Sequence, residues 1–304
     1  MLFKIRKLST TTLHQTFVWV TKGQSRRLRH NFAIARDLPD SFVDALSSIS
    51  HNTNNDVAIV DLDVARRQHE TYVATLRQHV PTLCLPALPN HPDCLFVEDT
   101  VVAIGKQAVV THPGHVSRQG EVDSIHNVLI QLGLTVTDMR QQERRHEEAF
   151  CDGGDVLYNG RHLFVGQSQR TNRAAAEVLK TVFSNVVEQV VTVPVPSAVL
   201  HLKSAVTHLD ESTMILPVGS VGDELESIFR QYGYTRFIRV PDPLACNVLV
   251  INGHVLAQAT ECVESRRVLQ QAATERSMGL TWVDTSELAK KDAALTCGSV
   301  LLQL

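Results

Sequence analysis

The sequence lacks the features that would assign it to a membrane, zinc-ribbon or disulfide-rich class of protein. No run of about 18 apolar residues occurs, the Pro-interrupted segment 190–200 being the nearest, so we predict no membrane-spanning segment. No Cys-x-x-Cys pair occurs, and six cysteines in 304 residues are too few for a disulfide scaffold. We therefore expect free thiols in a reducing compartment. The cysteines are Cys84, Cys94, Cys151, Cys246, Cys262 and Cys297.

The chain also lacks compositional bias, and its charge is unevenly distributed. Hydrophobic residues make up 43% and charged residues 20%, which excludes a disordered protein. Residues 1–36 contain eight of the 29 Lys and Arg residues and no Asp or Glu, so the rest has 21 basic and 32 acidic residues. That acidic remainder argues against nucleic acid as a partner.

The basic, acid-free residues 1–30 form a leader typical of a mitochondrial transit peptide. A basic, unstructured tail without a targeting role is the alternative. We therefore predict a cytoplasmic or mitochondrial protein with a single folded domain over residues 31–304.

One arrangement of secondary structure recurs along this domain. Tight turns such as Asn159-Gly160 and Asn252-Gly253 join short apolar segments and predict hairpins, each followed by an amphipathic helix. No Gly-rich dinucleotide motif or P-loop occurs. The spacing predicts one closed α/β domain of about five strand–turn–strand–helix units. The predicted helices begin near Asp61, Glu121, Thr171, Asp223 and Val263, and a small one spans Ser286 to Ala294.

Three residues have side chains suited to nucleophilic catalysis, although each has a structural explanation when taken alone. Cys297 stands beside Gly298, which leaves backbone space for a ligand. His201 is predicted at the end of an apolar strand, and Asp152 precedes a sharp Gly-Gly bend. A thiol nucleophile needs a base, and the base needs an orienting carboxylate, so the three together indicate one site.

Carboxylates are concentrated around residues 93–99. Glu98 and Asp99 interrupt an apolar segment predicted to be a strand, and the alternation of side chains would place Asp93 and Asp99 on one face. Two carboxylates on one face suit a planar guanidinium. A solvated strand end is the alternative.

Two arginines precede predicted helices. Placed at loop-to-helix junctions, the side chains of Arg118 and Arg170 would bind a carboxylate together with the helix N-termini. The alternative is that both arginines are exposed. His112 and His115 flank a Pro-Gly turn and lack a complete metal-ligand set nearby, so we interpret them as part of a turn.

Five motifs, taken in order, resemble those of the dimethylarginine dimethylaminohydrolase family of the amidinotransferase or pentein superfamily. They are residues 97–99 (VED), 152–156 (DGGDV), 164–172 (FVGQSQRTN), 201–204 (HLKS) and 295–300 (LTCGSV). The resemblance covers residues 31–304. It implies a five-bladed α/β propeller, in which strand-strand-helix-strand repeats with pseudo-fivefold symmetry surround a central active-site channel.

The resemblance also implies an activity. Nω-methylated arginines, namely asymmetric dimethylarginine and monomethylarginine, would be hydrolysed to citrulline and dimethylamine or methylamine, which relieves inhibition of nitric oxide synthase. Cys297 would be the nucleophile that forms a covalent intermediate, His201 the general acid and base, and Asp152 the carboxylate that orients His201. No cofactor is implied, and Zn²⁺ bound by Cys297 and His201 would inhibit the enzyme.

The resemblance assigns the substrate-binding residues as well. The guanidinium would be held by Asp93, Glu98 and Asp99, and the α-carboxylate by Arg118 and Arg170. The backbone of Leu46 would recognise the amino group, and Lys291 adds a positive charge at the mouth of the site. The expected partner is a small-molecule substrate, with no nucleic acid or membrane, and the protein is expected to be a monomer or homodimer.

Two alternatives come from the same superfamily. An arginine deiminase-like guanidine hydrolase would act on unmethylated arginine, but arginine deiminases carry an inserted helical subdomain for which this chain has no room. A non-catalytic pentein would act as a binding protein, but it has no need of Cys297, His201, Asp152 and the carboxylates together.

Overall fold

The computed structural model describes residues 29–47, 59–142 and 147–304, so residues 1–28 of the predicted leader lie outside the described part. In the described ranges, fifteen short strands form five three-stranded sheets. The strands are β1 Phe32–Arg36, β2 Thr82–Leu85, β3 Val101–Ile104, β4 Gln107–Val110, β5 Thr135–Asp138, β6 Val156–Tyr158, β7 His162–Gln167, β8 Gln189–Pro194, β9 Thr207–Asp210, β10 Thr213–Pro217, β11 Arg236–Val240, β12 Val248–Ile251, β13 His254–Gln258, β14 Gly279–Val283 and β15 Ser299–Leu302. The helices are α1 Leu62–His79, α2 Val122–Gln131, α3 Arg173–Phe183, α4 Leu202–Ala205, α5 Ser220–Arg230, α6 Val263–Glu275 and α7 Ser286–Ala289.

The sheets repeat a single unit. In four of them an antiparallel hairpin is followed by a helix and by a third strand, which pairs in parallel with the second strand of the hairpin. The helix covers its sheet with an apolar face; α3, for example, buries Ala175, Leu179 and Phe183. The predicted five-unit α/β propeller is confirmed.

The remaining sheet is assembled from the two ends of the folded domain. Strand β1 pairs in parallel with β2 on one side and antiparallel with β15 on the other, so that Phe32 lies opposite Leu302. The last strand thus supplies the hairpin partner that the first unit lacks, and the repeat is completed across the whole chain.

A central channel runs between the sheets. Its wall includes residues of β3, β6, β9, β12 and β15, one inner strand from each sheet, and its volume is about 180 Å³. Each inner strand is directly preceded by one helical turn, and we call these the five inner turns. They are Val97–Thr100, Gly153–Asp155, α4, Pro243–Cys246 and Leu295–Gly298.

The inner turns contact one another around one end of the channel. The first contacts the second, the second contacts α4, α4 contacts the fourth, and the fifth contacts the first. Side chains from units far apart in sequence are therefore brought together at this end.

Several predicted boundaries are wrong. Helix α3 begins at Arg173 rather than after Thr171, because the side chain of Asn172 accepts the N–H of Ala175 and caps the helix. Helix α5 begins at Ser220 rather than after Asp223. Helix α7 ends at Ala289, well before Ala294.

The two Asn-Gly turns differ in geometry. Asn252 and Gly253 both have positive φ, 51° and 89°, as a type I′ turn requires. In the other turn Gly160 has a positive φ and Asn159 does not. There the Asn159 side chain instead accepts the N–H groups of Arg161 and His162.

All six cysteines are free thiols, as predicted. None of the helices in the described ranges has the length and apolarity needed to cross a bilayer.

Candidate active site

A cavity of about 400 Å³ lies where the inner turns meet, and eight of the ten residues predicted for the site line it. Asp152 and Glu98 are not in its lining, but each hydrogen-bonds to a residue in or next to that lining. The eight are Leu46, Asp93, Asp99, Arg118, Arg170, His201, Lys291 and Cys297.

His201 and Asp152 form a buried pair. Nε2 of His201 lies 3.0 Å from Oδ2 of Asp152, and neither side chain is appreciably exposed. The other carboxylate oxygen of Asp152 accepts the N–H of Gly114, and the backbone N–H of Asp152 donates to Oγ1 of Thr171. With both of its oxygens engaged, Asp152 can orient the imidazole.

His201 does not end a strand, as the sequence predicted. Strand β8 stops at Pro194, and His201 is the residue from which α4 starts. The N–H of the following residue, Leu202, donates to Oδ1 of Asp155 at 2.8 Å, which holds the beginning of α4 against the second inner turn.

The charge around His201 favours its protonated form. Burial opposes a charged ring, but the carboxylates of Asp99, Asp152 and Asp155 outweigh it and raise the pKa of His201 to about 9. His201 is therefore protonated at neutral pH and can act as a proton donor.

Two glycines allow this close packing. A Cβ on Gly154 would lie 2.7 Å from Nδ1 of His201 and 2.9 Å from Oδ1 of Asp99. A Cβ on Gly153 would lie 2.0 Å from the carbonyl oxygen of Glu98. The Gly-Gly pair therefore lets the second inner turn pack directly on the imidazole and on the first inner turn.

Cys297 lies in the fifth inner turn and reaches the cavity while only 8% exposed. Burial, followed by the negative charges of Glu98 and Asp99, raises the pKa of its thiol. The thiol is thus protonated in the ligand-free protein. The space predicted beside Gly298 is occupied by Tyr72 and not by a ligand. A Cβ on Gly298 would lie 2.8 Å from the Tyr72 ring.

The carboxylates of the cavity are not arranged as a strand. Residues Val97–Thr100 form an inner turn, so the predicted placement of Asp93 and Asp99 on one strand face is wrong. Both line the cavity nevertheless. Asp93 accepts the N–H of Leu46 through Oδ1 at 3.1 Å, which joins two residues that were assigned separate roles.

Asp99 is held by donors on two sides. Its Oδ1 accepts the N–H of Gly154 at 2.8 Å, and its Oδ2 accepts from Nη1 of Arg118 at 2.5 Å. Although burial opposes ionisation, the charges of His201 and Arg118 keep the pKa of Asp99 below its usual range. Asp99 is therefore ionised at neutral pH, paired with Arg118.

Arg118 is buried, which excludes the alternative of an exposed residue. Besides Asp99, its guanidinium donates to both carboxylate oxygens of Glu121, at 3.1 and 2.8 Å. Sequence reasoning missed Glu121. Its position three residues after Arg118 on one helical turn was the available signal.

Arg170 and Lys291 supply positive charge to the same cavity. Nη1 of Arg170 lies 3.8 Å from Asp152, and the side chain is 17% exposed, more than that of Arg118. Lys291 is buried at the cavity wall. The lining therefore carries both carboxylates and cations, as a zwitterionic ligand requires.

Glu98 faces the central channel rather than the cavity. Nζ of Lys203 donates to its Oε1 at 2.6 Å, and Oγ1 of Thr296 donates to its Oε2 at 2.9 Å. Asn247 completes the group, because its Oδ1 accepts the N–H of Thr296 and its Nδ2 donates to the carbonyl of Lys203. Sequence reasoning missed Lys203 and Asn247 as parts of the site.

Donor atoms of Asp99, Asp152 and His201 lie within 4.8 Å of one another. All three are already paired, with Arg118, Gly114 or each other. Cys297 is outside this group, and so are His112 and His115, which the sequence predicts to be part of a turn.

Known proteins share this sequence and fold. The family model of arginine deiminase matches residues 41–231. A dimethylarginine dimethylaminohydrolase of Streptomyces coelicolor is 34% identical over 247 residues, covering 80% of this chain and 88% of the relative.

Two solved structures have the same fold. One is the Pseudomonas aeruginosa dimethylarginine dimethylaminohydrolase, a Cys-to-Ser mutant in complex with citrulline, with a TM-score of 0.77, 25% identity, and coverage of 90% of this chain and 100% of that one. The other is the N-terminal domain of the cyanobacterial arginine dihydrolase ArgZ, with a TM-score of 0.72 at 16% identity and coverage of 90% and 99%, a likeness of fold alone. The chain belongs to the arginine deiminase and dimethylarginine dimethylaminohydrolase family of the pentein superfamily, and it is a hydrolase.

Proposed function

We propose that this protein hydrolyses Nω-methylated arginines to citrulline and dimethylamine or methylamine. The observation that carries the proposal is the cavity itself, in which a thiol, an imidazole–carboxylate pair and groups of both charges meet. The relatives named dimethylarginine dimethylaminohydrolase support the same substrate class.

The charges of the cavity suit the two ends of a methylated arginine. Asp99 and Asp93 would bind the cationic guanidinium, while the buried Glu98 adds negative potential near Cys297. Arg170, Arg118 and Lys291 would bind the α-carboxylate. Of these, Arg118 is the most committed to internal partners, since it already pairs with Asp99 and Glu121.

The amino group of the substrate would be recognised beside Leu46. The N–H of Leu46 is donated to Asp93, which fixes the backbone of this segment at the cavity wall. The carbonyl oxygen of the same residue would accept from that ammonium group.

Catalysis would begin when the substrate cation binds beside a protonated thiol. The positive charge lowers the thiol pKa by attraction, the proton leaves to solvent, and the Cys297 thiolate attacks the central guanidinium carbon. His201, protonated at neutral pH, donates a proton to the departing methylamine or dimethylamine. A covalent thiouronium intermediate remains on Cys297.

The second half of the reaction consumes water. His201, now neutral, accepts a proton from a water molecule that attacks the same carbon, and the carbon–sulfur bond breaks to give citrulline and the free thiol. Asp152 keeps the imidazole oriented through both transfers. Removal of methylated arginines would in turn relieve inhibition of nitric oxide synthase.

Parallel assays test the proposal. Citrulline release is measured from asymmetric dimethylarginine, monomethylarginine and arginine, with a metal chelator present to exclude inhibition by Zn²⁺ at Cys297 and His201. We expect turnover of both methylated substrates and none of arginine. Turnover of arginine alone would replace the proposal with a deiminase-like activity, and silence on all three would indicate a binding protein.

A further inference from the structure

We infer that Asp37, His69 and Cys84 form a second ligand site, which binds Zn²⁺ outside the catalytic cavity. One donor atom from each residue lies within 4.8 Å of the other two. Asp37 follows strand β1, His69 lies in helix α1, and Cys84 lies in strand β2. The three secondary-structure elements that make up the first unit thus converge on this point.

The environment of His69 is a second, independent observation in favour of a ligand site. His69 is only 4% exposed, yet within the described ranges neither ring nitrogen has a hydrogen-bond partner at normal distance and angle. The backbone of Arg36 lies close enough to interact with the ring, but not in the geometry of a regular hydrogen bond. Buried imidazoles are normally hydrogen-bonded or coordinated to a metal, so a ring with neither nitrogen engaged needs a ligand.

The other two groups, Cys84 and Asp37, face each other at a distance slightly shorter than a bound metal requires. Sγ of Cys84 donates to Oδ1 of Asp37 at 2.9 Å. Tetrahedral Zn²⁺ at its usual bond lengths holds a sulfur and an oxygen roughly 3.5 Å apart. The ion would therefore fit between this sulfur and this oxygen if they moved about half an ångström farther apart. The thiol proton would be released to solvent.

A cavity of about 480 Å³ gives access to the site. Asp37 and His69 line it, together with Arg66 and Glu70. It is separate from the catalytic cavity, with which it shares no lining residue. Three protein ligands beside an accessible volume leave a fourth position for water.

The ligand set selects the metal. Thiolate, imidazole and carboxylate are together typical of Zn²⁺, whereas Ca²⁺ and Mg²⁺ prefer oxygen ligands alone. The thiolate and the carboxylate contribute two negative charges, which match the charge of the ion. Arg77 and Arg36, both close enough to influence Cys84, add opposing positive charge, so we expect a moderate affinity.

The test uses Co²⁺ as a spectroscopic probe in the full chain carrying Cys297→Ser, so that the catalytic thiol cannot contribute. We expect a thiolate-to-cobalt absorption band that saturates at one equivalent and is bleached by Zn²⁺. Adding Cys84→Ser should abolish the band, whereas adding Cys262→Ser, a matched change at a cysteine outside the site, should leave it intact.

Two further variants test the other ligands. His69→Asn and the change at the exposed carboxylate, Asp37→Asn, should each lower Co²⁺ affinity by at least about tenfold, since loss of even an outer partner costs that much. Thermal melting identifies variants that fail to fold. If His69→Asn is one of them, the Co²⁺ affinity of Asp37→Asn tests the site in its place. Absence of the band in the Cys297→Ser chain, or its persistence after Cys84→Ser, would overturn the site.

Discussion

The fourth inner turn differs from the other four, although all five occupy the same place in the repeat. The first turn carries Asp99, the second follows Asp152, the third follows His201, and the fifth carries Cys297. The fourth, Pro243–Cys246, neither contains a residue predicted for the site nor directly follows one. It contributes Asn247 instead, which hydrogen-bonds to the third and fifth turns.

The fourth turn therefore has a structural role, whereas the other four turns position residues of the predicted site. The same geometry, a helical turn ahead of an inner strand, serves either purpose. Asp242 precedes the fourth turn as Asp152 precedes the second, but its Oδ1 caps the N–H of Leu244 instead of contacting an imidazole. Position in the propeller therefore brings the residues together, and their identity decides what they do.

The largest expected effect is the loss of the nucleophile. Cys297→Ser should lower kcat for methylated arginine by more than about a thousandfold, since an alcohol cannot replace the thiolate. Citrulline release measures it. Cys246→Ser is the matched control, as it makes the same change at a buried cysteine of the fourth turn. It should lower stability by roughly 1–3 kcal/mol and keep the activity. Comparable turnover by both variants would remove Cys297 as the nucleophile.

Asp152→Asn should have the next largest effect. Loss of the carboxylate removes part of the charge that holds the His201 proton, so kcat should fall by roughly a hundredfold or more. In the unmodified protein kcat/KM should decline as pH rises through about 9, and the substitution should move that decline to lower pH.

Asp242, which precedes the fourth turn as Asp152 precedes the second, provides the control for the pH dependence of kcat/KM. Asp242→Asn should leave the pH dependence of kcat/KM unchanged, because its carboxylate caps a turn and does not contact His201. Identical pH profiles for the two variants would contradict the role of Asp152.

Lys203→Met should destabilise the protein, because it removes the ion pair between Lys203 and Glu98 next to the cavity. It leaves the buried carboxylate of Glu98 without its cation, which costs about 3–5 kcal/mol in the free energy of unfolding. Denaturant titration measures the loss. Adding Glu98→Gln should restore part of the stability, whereas equal stability of the single and double variants would show that the ion pair contributes nothing.

The smallest expected effect is the pH dependence of stability. The folded pKa of His201, about 9, exceeds its unfolded value, so the stabilisation is complete below about pH 6.5 and is lost as pH rises through about 9. The difference is on the order of 3 kcal/mol in the free energy of unfolding. His201→Gln should reduce the fall in stability between pH 6.5 and 9.5, measured with urea, and an unchanged fall would assign it to other groups.

Sequence reasoning predicted the repeat and the cavity residues better than their local conformation. Hairpins and helix faces depend on short-range patterns, and the motifs around Asp152, His201 and Cys297 are contiguous. The segment 97–100 alternates like a strand but forms a turn, because its polar groups bond to Gly154, Arg118 and Lys203 from elsewhere. Contacts between residues far apart in the chain, such as Thr296 with Glu98, 198 positions away, have no local signal.

The pairing of β1 with β15 has a kinetic consequence. Phe32 and Leu302 are 270 positions apart, so pairing their strands closes a loop of almost the whole domain, and we expect this step to be slow. Cys297 lies two residues before β15, in the inner turn that leads into that strand. A chain in which β15 has not paired with β1 therefore lacks an assembled thiol site, so the closure of the first sheet and the assembly of the site are one event.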